Sequence, residues 1–284
     1  MPTSVRNAES IDIVVQFAPE PSPIAKSEAR VVFEHSPECS LICIQGVADF
    51  QVSRGKQICV WPAAGATQKD IEIFLFGPAW AALCHQRGLL PLHASAIVTR
   101  GGITAFAGDC GAGKSTTAAL MGLLGYALVA DDILPISFNR HAVPGAWPYL
   151  CRLKLHTAAI TELALAASDP VSETLDNEKY FVIPKLIAAR KWTRLERVYV
   201  LQSDQSASEV SIDRIVGAEA ICALVDQTYH FQSVVGSGRL RSHFAFCAQL
   251  ASKIPVYRLR RSASSDIGRE LGALIEAHLE TSPS

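Results

Sequence analysis

Apolar and polar positions alternate over short stretches in the first part of the chain. Residues 11–17, 30–34, 41–45 and 57–61 read as strands. Asp49-Phe50-Gln51-Val52 alternates between the last two, and Ser53-Arg54-Gly55-Lys56 supplies a turn. A Pro-rich link at 19–23 follows the first strand. This pattern predicts a small β-rich unit over residues 1–66. The period changes near Thr67, where residues 71–86 place apolar side chains at helical spacing and Gly88 is a stop signal. Strand and helix then alternate: strands at 93–99 and 103–107 around a Gly101-Gly102 turn, a helix at 114–124 closed by Gly125, and a strand at 126–130. Further helices are expected at 158–167, 218–226, 243–251 and 267–279, with strands at 195–202 and 256–259. The alternation predicts an α/β domain over 67–284.

Composition narrows the class. Apolar residues make up 49% of the 284 and charged residues 19%, enough to build a core and too apolar for a disordered chain. A formal net charge of −1 gives no global attraction to nucleic acid or anionic lipid. The eight cysteines form no C-x-x-C pair, so they are expected to be buried, reduced thiols rather than zinc ligands or a disulfide framework. The first residues lack a signal-peptide pattern, and the most apolar stretch, 71–84, is broken by Glu72 and by Gly77-Pro78. The expectation is a soluble, cytoplasmic protein with neither nucleic acid nor membrane as partner.

The stretch that carries chemistry is Gly108-Asp109-Cys110-Gly111-Ala112-Gly113-Lys114-Ser115, a Walker A pattern G-x-x-x-x-G-K-[ST] between a predicted strand and a predicted helix. The glycines let successive N–H groups turn inward around an anion, and the helix adds its positive end. Lys114 is expected to reach the β- and γ-phosphates and Ser115 to ligate Mg²⁺, with Thr116 completing the nucleotide-binding run. Cys110 reads as a small tolerated residue.

Residues 126–132 form an apolar run ending in Asp131-Asp132, which places acids at the carboxyl end of a strand beside the phosphate loop. One carboxylate can hold Mg²⁺ directly or through water; the other is free to act as a base. Adjacent acids at a strand end point to different sides. The residues alone leave open which of Asp131 and Asp132 takes which role. His93 lies at the start of a strand upstream, and Arg239 and Arg241 follow a Gly-Ser-Gly turn, where they either face solvent or clamp an anion.

Together, Leu92-His93-Ala94-Ser95-Ala96, the phosphate loop and Val129-Ala130-Asp131-Asp132 resemble the catalytic domain of HPr kinase. A shorter HPr-kinase-like branch, some of whose members accompany lasso-peptide biosynthesis, is similar over 77–96, 176–179 and 254–261 as well. The resemblance implies a P-loop core with a mixed sheet, akin to that of phosphoenolpyruvate carboxykinase. It also implies use of ATP and Mg²⁺, transfer to a serine of a peptide or small protein, and homo-oligomers. By position it makes Lys114 the phosphate ligand, Ser115 and Asp131 the Mg²⁺ ligands, Asp132 the acceptor of the hydroxyl proton and His93 a support for the acceptor or for Asp132. The family's later glycine-rich segment with a second Mg²⁺-binding Glu is not found here, and Lys179-Tyr180 stands where the branch often has Lys-Arg. The residues themselves leave open an ATPase, a small-metabolite kinase or a nucleotide-binding module without chemistry.

Overall fold

A computed structural model describes residues 13–18, 22, 30–172, 178–204, 210–262 and 270–280. The Pro-rich link apart from Ser22, the start of the last predicted helix, and Asp176 and Asn177 of the 176–179 likeness lie outside the described residues. The chain divides into two compact units, Met1–Gly88 with Gln232–Arg239, and Leu89–Phe231 with Leu240–Ser284.

The first unit is a five-stranded sheet of β1 (Val14–Phe17), β2 (Val31–His35), β3 (Cys39–Ile44), β4 (Ala48–Ser53) and β5 (Gln57–Pro62), in the order β1-β5-β4-β3-β2. Alternation in β3, β4 and β5 buries Ile42, Ile44, Phe50, Val52, Ile58 and Val60 on one face. That face is covered by α1 (Gln68–Phe74), a π-helical turn (Leu75–Ala79) and α2 (Trp80–Gln86). Thr67 caps α1 by accepting from the Asp70 amide at 3.2 Å. The helix expected over 71–86 is therefore interrupted: Pro78 has no N–H to give, and the wider π turn accommodates it. The boundary expected at residue 66 falls inside this unit, because Ile71, Leu75, Ala79, Ala82 and Leu83 bury against its sheet. Residues 232–239, which carry most of α6 (Phe231–Gly236), belong here too, with the Ser233 hydroxyl 3.1 Å from His35 Nε2 and Arg239 donating to the Pro37 carbonyl at 2.9 Å.

Phe50 is fully buried and faces Ile42 and Val60 on the neighbouring strands. A Phe50→Ala change is expected to destabilise this unit by about 3–5 kcal/mol, read as a lowered urea midpoint.

The second unit is mixed α/β. Its larger sheet joins β6 (Leu90–Leu92), β7 (Ala94–Thr99), β8 (Gly102–Gly108), β9 (Ala127–Ala130), β10 (Leu134–Phe138), β11 (Pro144–Ala146), β14 (Thr193–Asp204), β15 (Ser211–Ile215) and β16 (Val256–Ser262). A separate hairpin pairs β12 (Leu153–His156) with β13 (Lys179–Val182). In the larger sheet β14 lies between β8 and β16, parallel to both, while β7 runs antiparallel to β8 and to β9. The carboxyl ends of β8, β9, β14 and β16 and the amino end of β7 therefore share one edge of the sheet.

Both faces are covered, so β8 is buried throughout. On one face Phe106, Tyr199 and Leu259 meet α3 (Lys114–Leu123) and α8 (Gly272–Glu280); on the other Ala105, Val198 and Val256 meet α5 (Gly217–Asp226) and α7 (Leu240–Lys253). Tyr199 stacks on Phe106 at 5.7 Å and on Tyr257 at 5.4 Å, tying β8, β14 and β16 together just below that edge. The expected helix at 158–167 shortens to α4 (Thr157–Glu162), and Ala164 turns left-handed with φ 49°. The short strands β6, β10, β11, β12, β13 and β15 were not predicted: pieces such as Leu90-Pro91-Leu92 and Pro144-Gly145-Ala146 carry turn residues and are strands only because neighbours pair with them.

Candidate active site

The shared edge gathers the candidate residues. The phosphate loop follows β8, Asp131 and Asp132 follow β9, and His93 precedes β7. At Gly108 φ is +148°, and a Cβ there would lie 2.9 Å from the Leu201 carbonyl oxygen, so only glycine lets β8 turn into the loop this close to β14. The turn closes with the Ala112 amide donating to the Asp109 carbonyl at 3.0 Å, and α3 opens with the Thr117 amide donating to Gly113 at 2.8 Å. Gly111 and Gly113 are also left-handed, at φ 81° and 94°.

Lys114 is 7% exposed and folds back over the loop, its Nζ donating to the carbonyls of Gly108 at 2.8 Å and Asp109 at 3.0 Å. Burial pulls its pKa below the ordinary lysine value, and the charge of Asp132 opposes that. Ser115 and Thr116 stand half-buried on the first turn of α3, Ala112 is buried, and Cys110 is exposed at the loop tip.

The two carboxylates face apart. Asp131 is 3% exposed; its Oδ1 accepts from the hydroxyls of Ser115 at 2.7 Å and Ser95 at 2.6 Å, and its Oδ2 from the Lys154 amide at 2.8 Å. Burial raises its pKa; the Ser95 bond pulls down, and the charge of Asp132 pushes up. Asp132 has φ 75°, a left-handed conformation that non-glycine residues take at a cost of about 1–2 kcal/mol. It aims its carboxylate between His93, with Nε2 3.4 Å from Oδ1, and Lys154, with Nζ 2.9 Å from Oδ2. Burial pushes its pKa up, but the His93 hydrogen bond and the Lys154 ammonium outweigh it and hold the carboxyl well below the usual carboxylate range.

The donor set fits Mg²⁺. Two oxygens bound cis to one octahedral Mg²⁺ at about 2.0–2.1 Å lie about 2.9 Å apart, and Ser115 Oγ and Asp131 Oδ1 are 2.7 Å apart. Among the described residues no group of three or more His, Cys, Asp and Glu could hold a metal alone. Mg²⁺ at Ser115 and Asp131 would need phosphate oxygens and water to complete its shell.

Several site residues escaped the sequence pattern. Lys154, on β12, binds Asp131 with its amide and Asp132 with its ammonium. The Gln227 carbonyl accepts from the His93 amide at 2.8 Å while its Nε2 donates to Asp109 Oδ1 at 3.1 Å, linking the start of β7 to the phosphate loop. The Tyr229 ring meets His93 edge-on at 5.3 Å. Its hydroxyl is pushed well above its ordinary pKa by burial, then by Asp132 and Cys110. Arg239 is held in the first unit by Pro37, and Arg241 is exposed on α7. The cysteines are free thiols, and Cys110 and Cys222 are exposed rather than buried as expected.

No helix among the described residues is long and apolar enough to cross a membrane. No family model matches the chain. No curated protein matches it either. Among solved structures it is similar to the Hpr(Ser) kinase/phosphatase from Coxiella burnetii, over 66% of this chain and 93% of that one, at 11% identity and a TM-score of 0.33. At that value the two share too little geometry to inform the chemistry of this site.

Proposed function

We propose that this chain is an ATP-dependent kinase that transfers the γ-phosphate to a serine hydroxyl of a protein or peptide. The observation that supports it is the convergence at one sheet edge of Lys114, the Ser115–Asp131 pair and an Asp132 carboxylate steered by His93 and Lys154. In this reading the loop amides and Lys114 grip the β- and γ-phosphates, and Lys114 exchanges its carbonyl partners for phosphate oxygens. Mg²⁺ at Ser115 and Asp131 would neutralise charge on those oxygens.

Asp132 receives the acceptor hydroxyl. Its depressed pKa keeps it ionised at neutral pH and makes it a weak base. A loose phosphoryl-transfer transition state needs in-line orientation more than early proton removal, so a weak but well-aimed carboxylate suffices. His93 and Lys154 fix that aim.

The test is calorimetry with ATP, with and without Mg²⁺, followed by incubation with γ-labelled ATP and a serine-containing peptide library. Magnesium-dependent ATP binding and label on a serine peptide are expected. ATP consumption with no labelled acceptor would make the chain an ATPase, and binding without turnover would leave a nucleotide-binding module.

A further inference from the structure

The flank of the phosphate loop away from the two carboxylates also carries a charged group. There β16 brings up Arg261, whose guanidinium lies against Gly113: a Cβ at that glycine would sit 2.9 Å from Nη2 and 3.0 Å from Cζ. Gly113 is required by its φ of +94°; the guanidinium beside it is the end of a flexible side chain that could move aside. Arg261 is half-buried, and among the described residues no hydrogen bond or ion pair holds its guanidinium. Burial disfavours its charge, and the Glu162 carboxylate offsets this in part. The guanidinium also stands next to the positive N-terminal end of α3, where a cation is unfavourable. The placement gains most when a ligand comes between them.

Strand order supplies the direction of that ligand. Across the edge the order is β16-β14-β8-β7-β9. Relative to the loop after β8, the hydroxyl-binding Asp132 and His93 stand on the β7–β9 side, and Arg261 on the β16 side. The β9 and β16 backbones each lie two strands, roughly 10 Å, from β8, and the Arg261 side chain reaches back from β16 to the loop at Gly113. In the nucleotide reading, a triphosphate whose terminal phosphorus faces Asp132 carries its nucleoside on the opposite flank of the loop, the one Arg261 borders.

We propose that Arg261 binds the nucleoside end of the nucleotide, its guanidinium plane lying on the face of the base. A planar, weakly hydrated cation stacks on an aromatic ring as an ammonium does not. The assignment rests on the nucleotide reading above.

The test compares two ligands, Mg·ATP and Mg·tripolyphosphate, by calorimetry on the full chain and on Arg261→Ala and Arg261→Lys. Both variants are expected to bind ATP about 5- to 10-fold more weakly, with tripolyphosphate affinity unchanged. Equal weakening of both ligands would make Arg261 a phosphate contact and overturn the proposal. So would unchanged ATP binding in Arg261→Ala, or full affinity in Arg261→Lys, which keeps the charge and loses the plane. A parent chain that binds neither ligand removes the nucleotide reading itself, a result distinct from the failure of Arg261 alone.

Discussion

Replacing Asp132 with Asn is expected to lower phosphoryl transfer at least ~10²-fold, with Mg·ATP affinity changed little. The exchange isolates charge from shape. Asn is nearly isosteric and, like Asp, tolerates the left-handed backbone that residue 132 adopts at φ 75°, so the turn after β9 should persist. What disappears is the negative charge that His93 and Lys154 flank. The amide cannot accept the acceptor's proton, and it leaves the Lys154 ammonium with no counter-charge at that position. Initial rates with γ-labelled ATP, set beside calorimetric ATP affinity, check this. A variant with near-normal turnover would remove Asp132 from the chemistry, and one that loses ATP binding in step with turnover would make it a nucleotide ligand instead.

The second large effect falls on Lys114. Lys114→Ala is expected to lower kcat/KM by at least ~10²-fold and, unlike Asp132→Asn, to weaken ATP binding as well. The ammonium is the loop's only full positive charge, since its other donors are neutral amides and hydroxyls. Its present bonds to the carbonyls of Gly108 and Asp109 hold it over the loop, a side-chain swing from any bound phosphate. Alanine also empties a largely buried volume, so Lys114→Met serves as the partner variant: it refills the space without the charge. Both should lose activity alike, with the methionine variant melting closer to the parent. Activity retained in the methionine variant would show that the loop needs packing at this position and not charge.

The parts of the site that were legible in the sequence are those written in consecutive residues. The glycine spacing around Lys114 encodes the left-handed turn that joins β8 to α3, and an apolar strand that stops at Asp131-Asp132 puts both acids at the sheet edge; strand alternation was not what aimed them, since both lie past β9 and Asp132 is left-handed at φ 75°. Lys154, Gln227 and Tyr229 could not be found this way. Lys154 sits in Leu153-Lys154-Leu155-His156, an ordinary alternating strand, and becomes a site residue only because that strand docks beside Asp131. Gln227 and Tyr229 lie past the end of α5 and reach the site through tertiary contacts with His93 and Asp109. The same limit explains the misplaced unit boundary. An amphipathic stretch over 71–86 declares that it will bury one face, not which sheet it will bury it on.

The first unit takes eight residues, Gln232–Arg239, from far down the chain. A single cut near residue 88 thus cannot dissect the protein into two autonomous pieces. The amino-terminal fragment would lack the strip that meets His35 and Pro37, and the carboxyl-terminal fragment would carry that strip with its berth missing. Proteolytic nicking after Gly88 should leave the halves associated under native conditions. Recombinant halves should recover each unit only when expressed together, or when the strip is spliced back onto the amino-terminal piece.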